Sequence, residues 1–145
     1  MAQVTALVLR RGILAVFLLG CLGSAAELVL LGHDEDAKQF IPLVLFGLAL
    51  ALIAAFAASG SRAVLRAFQA TMVLFVGAGL AGAWLHFQAN REFQVEVDPS
   101  LSGWALVSKA LQAKTPPALA PGMMVQLGLL GLAYAYRHPR VDRSS

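Results

Sequence analysis

Five polar side chains stand where the apolar runs of this sequence give way to charged residues. Glu27 lies about one turn from the end of the first apolar run, and His33 follows just beyond that run. Farther along, His86 and Asn90 are four residues apart, which places them on one helix face, and Glu92 comes next. Imidazole nitrogen and carboxylate oxygen suit zinc, copper or iron. These residue types allow one interpretation, a divalent metal site, formed by Glu27, His33, His86 and Glu92.

A structural interpretation competes with the metal site, and it is the one we favour. A carboxylate within an apolar span is costly unless it has a partner, a proton or access to water. Pairing Glu27 with His86, or with Asn90 on the same face, would meet this need and hold two helices together. The sequence has no His-x-x-x-His or Cys-x-x-Cys pattern that favours a metal. A haem site is less favoured than a divalent metal site. We therefore expect a structural polar pair without a cofactor, with the metal site as the alternative.

Patterns that indicate other catalytic chemistry are absent from the sequence. The glycines at 77, 79 and 82 lie inside an apolar run, whereas a phosphate-binding loop lies between a strand and a helix. No serine stands in a nucleophile elbow, and Cys21 has no base nearby. A non-catalytic protein is therefore the main prediction. Enzymatic action on a lipid or quinone at the outer boundary stays open as a third possibility.

Composition predicts that a membrane surrounds these residues. The 145-residue chain is 59% hydrophobic and 13% charged, whereas a soluble domain carries about 25% charged residues. Its mean hydropathy is +0.73. The formal net charge is +3, but the basic residues form no continuous patch with interleaved aromatics, so we expect no nucleic-acid partner. The sequence predicts a single all-α integral membrane domain over residues 1–145, with the lipid bilayer as its main contact.

Four apolar runs approach the length of a membrane-spanning helix, about 17–25 residues. They cover residues 12–31, 41–59, 68–88 and 118–136. The last run is the weakest, because Pro121 and Gly122 lie in its first turn and leave a short apolar stretch before Arg137. An up-and-down path through these spans predicts an antiparallel four-transmembrane-helix bundle.

The distribution of arginine predicts the orientation of this bundle. Basic residues gather before the first span, between the second and third, and after the fourth, with Asp142 as the single acid among them. They are Arg10, Arg11, Arg62, Arg66, Arg137, Arg140 and Arg143. The segments on the other side, the charged "HDEDAK" at 33–38 and residues 89–117, are richer in acids than in bases. The positive-inside rule therefore predicts an inner-membrane protein with both termini in the cytoplasm.

The amino terminus also resembles an export signal, so a processed form competes with an intact first span. The stretch "RRGILAVFLLGCLGSAAE" has a basic flank, an apolar region, a lipobox-like "LLGC" that ends at Cys21, and small residues before Glu27. However, Leu19 is bulky for a lipobox, and the apolar run continues to Leu31. We therefore expect an uncleaved first span, while lipidation at Cys21 and cleavage before Glu27 remain the alternatives.

The segment 89–117 carries two local patterns outside the membrane. The stretch "REFQVEVDP" alternates apolar and polar residues up to Pro99, which predicts an extended arm. The stretch "SLSGWALVSKALQAK" has helical spacing, with Ser100 or Ser102 as the cap and Trp104 at the headgroup level. Its apolar face would contain Leu101, Trp104, Val107 and Leu111. We expect an extracytoplasmic amphipathic helix between spans three and four, serving as a lid or, less favoured, as a docking surface.

Small residues repeat at helical spacing in three of the four spans. Span two carries Gly47, Ala51, Ala55 and Ser59, and span three carries six glycines and alanines between residues 77 and 83, while span one offers Gly20 and Ser24. Such strips let helix backbones approach closely. We expect them to form the seam of the bundle, with contact to a membrane protein partner as the second possibility.

The C-terminal stretch "YAYRHPRVDRSS" predicts an anchor at the membrane interface. Tyr134 and Tyr136 are expected at the headgroup level, and Arg137 follows them. Taken with the absence of catalytic patterns, the sequence predicts a small non-catalytic accessory or scaffolding subunit of a membrane complex. A metal-binding or redox-accessory protein that uses the outer cluster of His and Glu residues is the alternative function.

Overall fold

The computed structural model describes residues 1–30, 32, 40–112 and 119–142, and every regular element in this part of the chain is a helix. The helices are α1 (Ala2–Leu30), α2 (Phe40–Ser59), α3 (Arg62–Val97), α4 (Gly103–Leu111), α5 (Leu119–Ala135) and α6 (Pro139–Asp142). The predicted external turn at 33–38 lies outside the described residues, as do residues 113–118. The all-α prediction is confirmed for the described part.

Three of these helices are long and apolar enough to cross a membrane: α1 from Val4, α2 and α3. At 1.5 Å per residue, the 20 residues of α2 extend about 30 Å, the thickness of the hydrocarbon core. The 36 residues of α3 extend about 54 Å, well beyond that thickness. The apolar stretch of α5, Ala120–Ala135, is shorter than the other three. The structure thus supports a helical membrane protein with three helices of spanning length.

Helix α3 organises the packing of the described helices. It makes its most extensive contact with α5 and also packs against α2 and α4, while α1 packs against α5 and α2. Rings bridge these contacts: Phe17 meets Phe68 edge-on at a centroid distance of 5.6 Å, and Phe46 meets Phe75 at 5.3 Å. All four phenylalanines are buried, as is Cys21. Apolar burial and aromatic edge contacts together hold α1, α2 and α3 around this core.

The contact between α3 and α5 depends on glycines from both helices. A Cβ added at Gly79 would lie 2.6 Å from the Pro121 carbonyl oxygen, and one added at Gly128 would lie 2.8 Å from the Met72 carbonyl oxygen. A Cβ at Gly131 would overlap the Met72 side chain. Helices α3 and α5 are therefore antiparallel. Their backbones approach closely because no side chain separates them at these glycines.

The predicted extended arm at residues 93–98 is wrong, because α3 continues through Val97. Phe93 and Val97 are both exposed, so a strand here would gain no stability from burying one face of its alternating pattern. A lone strand would also leave its backbone groups unpaired, whereas a continued helix satisfies them internally. The helix ends at Val97, and the C-cap residue Asp98 is extended at φ −143° and ψ 94°, because Pro99 disfavours helical backbone in the residue before it.

The predicted amphipathic helix is present as α4, but its packed face differs from the predicted one. Leu106 and Ala110 are buried, and α4 packs against α3. Trp104 is 78% exposed, and Ser102 stands at the N-cap without a side-chain hydrogen bond. The predicted face of Leu101, Trp104, Val107 and Leu111 lies beside the one that packs. Trp104 thus points away from the protein, as an interfacial residue would.

The predicted place of the small-residue strip on α2 is also wrong. Gly47, Ala51, Ala55 and Ser59 are all exposed, and a Cβ added at Gly47 would meet nothing within 4 Å. Helix α2 instead buries four large residues, Leu45, Phe46, Ile53 and Phe56, together with Ala49. Burial of large side chains gains more apolar contact than burial of small ones, which explains the rotation of the helix. The strip faces outward.

Candidate functional site

The structure places the described residues of the predicted polar cluster on two helices, α1 and α3, with different degrees of exposure. Glu27 on α1 is exposed, His86 on α3 is half-buried, and Glu92 farther along α3 is exposed. Asn90 is half-buried, and its side-chain amide donates to the Ala110 carbonyl oxygen at 3.2 Å. Asn90 thus connects α3 with α4, a role that the sequence did not predict. His33 lies outside the described residues.

The contacts of the described residues include no hydrogen bond or ion pair between Glu27 and His86. The same part of the chain contains no group of three or more His, Cys, Asp or Glu side chains that could hold a metal ion. The metal site also includes His33, which is not among the described residues, so these contacts do not test it. The polar pair and the metal site both stay predictions.

A short turn between α3 and α4 is stabilised by Asp98. Its carboxylate accepts a hydrogen bond from the Ser100 hydroxyl at 2.6 Å and another from the Ser100 backbone N–H at 3.1 Å. These bonds, with a smaller contribution from the charge of Lys109, hold the pKa of Asp98 below its ordinary value. Ser100, one of two candidate caps for α4, therefore serves the preceding turn.

A different set of polar contacts joins the opposite end of the molecule, where Arg10 lies beside the last turn of α5. Its guanidinium donates to the carbonyl oxygens of Tyr134, of Tyr136 at 3.1 Å and of Arg137 at 3.4 Å. The final carbonyls of a helix lack partners within the helix, and a cation also interacts favourably with the helix dipole there. Arg10 therefore caps α5 from another helix.

The segment after α5 is held by two further contacts at this end. Arg62, the first residue of α3, donates from Nη2 to the Val141 carbonyl oxygen at 3.0 Å. His138 is buried, and its ring meets Phe56 edge-on at a centroid distance of 4.8 Å. Arg137 has a φ of +42°, which turns the chain after α5. We call this region, defined by Arg10, Arg62, Arg66 and Arg137, the arginine end.

Tyr134 has a different environment from the predicted one. The sequence predicts Tyr134 at the lipid interface, but it is buried, with ring contacts to Phe68 at 6.3 Å and to His138 at 5.3 Å. Tyr136 is 65% exposed, with the Arg137 guanidinium 5.5 Å from its ring centroid. Tyr136 and Arg137 thus retain the exposure that an interface anchor needs, whereas Tyr134 belongs to the core.

A pocket of about 270 Å³ opens at the arginine end between α3 and the segment after α5. Its described lining residues are Arg62, Leu65, Arg66, Gln69, Ala135, Arg137, His138 and Val141. Three of them are arginines and none is acidic. From the sequence, Arg62 and Arg66 indicate only the orientation of the bundle, and Arg137 is also predicted as part of an interface anchor. Their spacing held a further signal, because Arg62, Arg66 and Gln69 fall at i, i+4 and i+7, on one helix face.

An apolar groove of about 250 Å³ lies between α1 and α5. Its lining residues are Val16, Leu19, Gly20, Met123, Gln126, Leu127 and Leu130. Gln126 is exposed in the middle of α5, and the described contacts give its side chain no hydrogen bond. Gln126 is not among the predicted site residues, although an amide in the middle of an apolar run is a signal of function that the sequence contains.

Comparison with known protein families, characterised proteins and solved structures gives no match to this chain.

Proposed function

We propose that this chain is a small non-catalytic integral membrane protein that acts as an accessory or scaffolding subunit of a membrane complex. Three long apolar helices support its place in the membrane. In this proposal α5 crosses as a fourth, shorter span, which makes an antiparallel four-helix bundle. The arginine end then lies in the cytoplasm of a cell with an inner membrane, in keeping with the positive-inside rule.

The observation that carries this proposal is the outward face of α2. From Gly47 to Ser59, the exposed positions are glycine, alanine or serine except for Leu48, which is 43% exposed. Small side chains gain little contact from lipid tails, but they let another helix backbone approach and gain van der Waals contact. Four-residue spacing from Gly47 through Ala51 and Ala55 makes a continuous strip for such contact. The strip is suited to a helix of a partner protein.

Gln126 supports the same proposal from the other side of the molecule. An amide that faces hydrocarbon is destabilising unless it forms a hydrogen bond. In membrane proteins such side chains bond across helices, with a contribution of about 1–2 kcal/mol in model peptides. A partner helix seated in the groove between α1 and α5 would supply this bond. Two outward surfaces of different chemistry thus fit a subunit that contacts other membrane proteins.

Site-specific photo-crosslinking tests the proposal at α2. A benzophenone amino acid in place of Ala51 or Ala55 should form a discrete adduct with a different membrane protein in native membranes. The same group in place of Ala70, which is exposed on α3 and lies outside the groove between α1 and α5, serves as the matched control and should form no such adduct. Adducts with lipid alone, or with a second copy of this chain alone, from both α2 positions would contradict an accessory role.

A substitution makes the test quantitative. Ala51→Leu adds bulk to the strip where no intramolecular neighbour is crowded, so the fold should be kept while the adduct from Ala55 is reduced. Ala70→Leu makes the same chemical change on another exposed surface and should leave the adduct unchanged. Equal loss of the adduct in both variants would show that the effect comes from general disturbance and not from the strip.

A further inference from the structure

We infer that the pocket at the arginine end binds the phosphate of an anionic phospholipid headgroup. The pocket lies between the first two turns of α3 and the chain that follows α5, so residues from distant parts of the sequence form it together. The inference depends on a membrane location for the chain, but it does not depend on the accessory role proposed above.

Charge is the first argument for an anionic ligand. Arg62, Arg66 and Arg137 bring three guanidinium groups to one pocket, where Arg62 already donates to the Val141 carbonyl oxygen, and no acidic residue is among the described lining residues. Arg66 and Arg137 are exposed, so their side chains can reach a ligand at the pocket mouth. Guanidinium groups bind phosphate oxygens in a fixed, two-pronged geometry. Such a set of donors is better matched to phosphate than to a neutral ligand.

The position of these arginines on α3 gives a second argument. Arg62 begins a 36-residue helix, and the first turn contains no acidic residue. The positive end of the helix dipole disfavours cationic side chains, and the first backbone N–H groups of a helix lack partners within it. A bound phosphate would offset both effects, because the helix terminus and the arginines attract the same anion.

The surroundings of the pocket favour a lipid as the source of the phosphate. Leu65, Ala135 and Val141 supply apolar lining beside the arginines. The same helix exposes Val73 and Leu74 less than two turns beyond Gln69, so an apolar surface begins close to the charged one. A phospholipid presents this same order, a phosphate followed by a glycerol and acyl chains. Basic pockets between membrane helices bind anionic headgroups in this way.

Native mass spectrometry of the detergent-purified full chain tests the inference. Phosphatidylglycerol should remain bound under activation that removes phosphatidylcholine with the same acyl chains. Arg66→Gln and Arg137→Gln should each lower the affinity for phosphatidylglycerol about fivefold, since one basic residue near an anionic lipid contributes on the order of 1 kcal/mol. Neither side chain takes part in the hydrogen bond between Arg62 and Val141, so both variants should keep the wild-type unfolding temperature.

Arg11→Gln is the matched control, because Arg11 is exposed near the same end but does not line the pocket. It removes the same charge and should leave lipid retention unchanged. Equal loss in Arg11→Gln would overturn the inference, since general surface charge would then explain binding. Equal retention of the two lipids by the wild type would also overturn it. Soluble glycerol phosphate provides the last arm: if it binds through Arg66 while no lipid does, a lipid source is wrong.

Discussion

Arg10 connects two helices that are far apart in the sequence. It lies in α1, yet its guanidinium bonds to the carbonyl oxygens of Tyr136 and Arg137 after the last turn of α5. Arg11 is its neighbour in sequence but is exposed. Two adjacent arginines with the same predicted role in orientation therefore have different structural roles.

Arg10→Leu should lower the free energy of unfolding, because the last carbonyls of α5 lose a charged donor. Hydrogen bonds to charged groups contribute about 1.5–3 kcal/mol, so a loss of this order is expected. Thermal unfolding in detergent measures it, with Arg11→Leu as the control. If the two variants unfold at the same temperature, the cap on α5 does not stabilise the fold.

Substitutions at Glu27 test the polar pair that the sequence predicts. If His86 is its partner, Glu27→Leu should be more destabilising than Glu27→Gln, because an amide retains a hydrogen bond and a leucine leaves the imidazole without one. Thermal unfolding separates the two variants. If both match the wild type, Glu27 has no partner that matters for stability, in agreement with its exposed position on α1.

The alternative metal site has its own readout. Metal analysis of the purified protein should detect zinc, copper or iron only if the cluster of His and Glu residues binds it, and that metal should be lost in His86→Ala. Metal that persists in His86→Ala would place the ligands elsewhere.

At the scale of helices, α3 and α5 depend on each other most. Gly79, Gly128 and Gly131 remove side chains at the points where the two backbones meet. Gly77 lies on the same helix as Gly79, but a Cβ added there would meet nothing within 4 Å. Gly77 and Gly79 point to different faces of α3, and only the face of Gly79 contacts α5.

Gly79→Ala should destabilise the protein, because its Cβ would press on backbone atoms of Pro121 and Val125 that cannot move aside. Overpacking of this kind typically costs about 1–3 kcal/mol. Gly77→Ala makes the same change in open space and should be neutral or slightly stabilising, since alanine favours a helix over glycine. Unfolding measured in detergent compares the pair, and a larger loss at Gly77 would contradict the close contact of α3 with α5.

For the whole molecule, polar contacts bring the start of α1, the start of α3 and the end of α5 together. Arg10 reaches Tyr136, and Arg62 reaches Val141. The turn of Asp98 and Ser100 lies beyond the far end of α3, about 54 Å from its start. The proposed orientation places the first group in the cytoplasm and the second outside.

Single cysteines at Ser102 and Ser144 test this orientation in a Cys21→Ala background. An impermeant thiol reagent should label residue 102 in intact cells and residue 144 only after permeabilisation, because of the positive-inside rule. Labelling of residue 144 alone in intact cells would reverse the proposed topology. Intact mass measurement of the same protein also reports whether the chain is processed at Cys21 or before Glu27.

Sequence alone determined which stretches are apolar helices, because hydropathy and charge act through nearest neighbours and the surrounding solvent. The three long helices α1, α2 and α3 and the shorter apolar helix α5 follow from this local information. The prediction is wrong at the end of α3, because the alternation of apolar and polar residues at 93–97 resembles a strand when no tertiary contact is known.

Tertiary structure decided which face of each helix is buried. The strip from Gly47 to Ser59 faces outward because large residues occupy the opposite side of α2, and the sequence shows both faces without ranking them. In the same way, Arg62, Arg66 and Arg137 share a pocket only because α5 returns to the start of α3. Such contacts depend on the rotation and close approach of whole helices, which arise from all the packed side chains together and not from any one stretch of sequence.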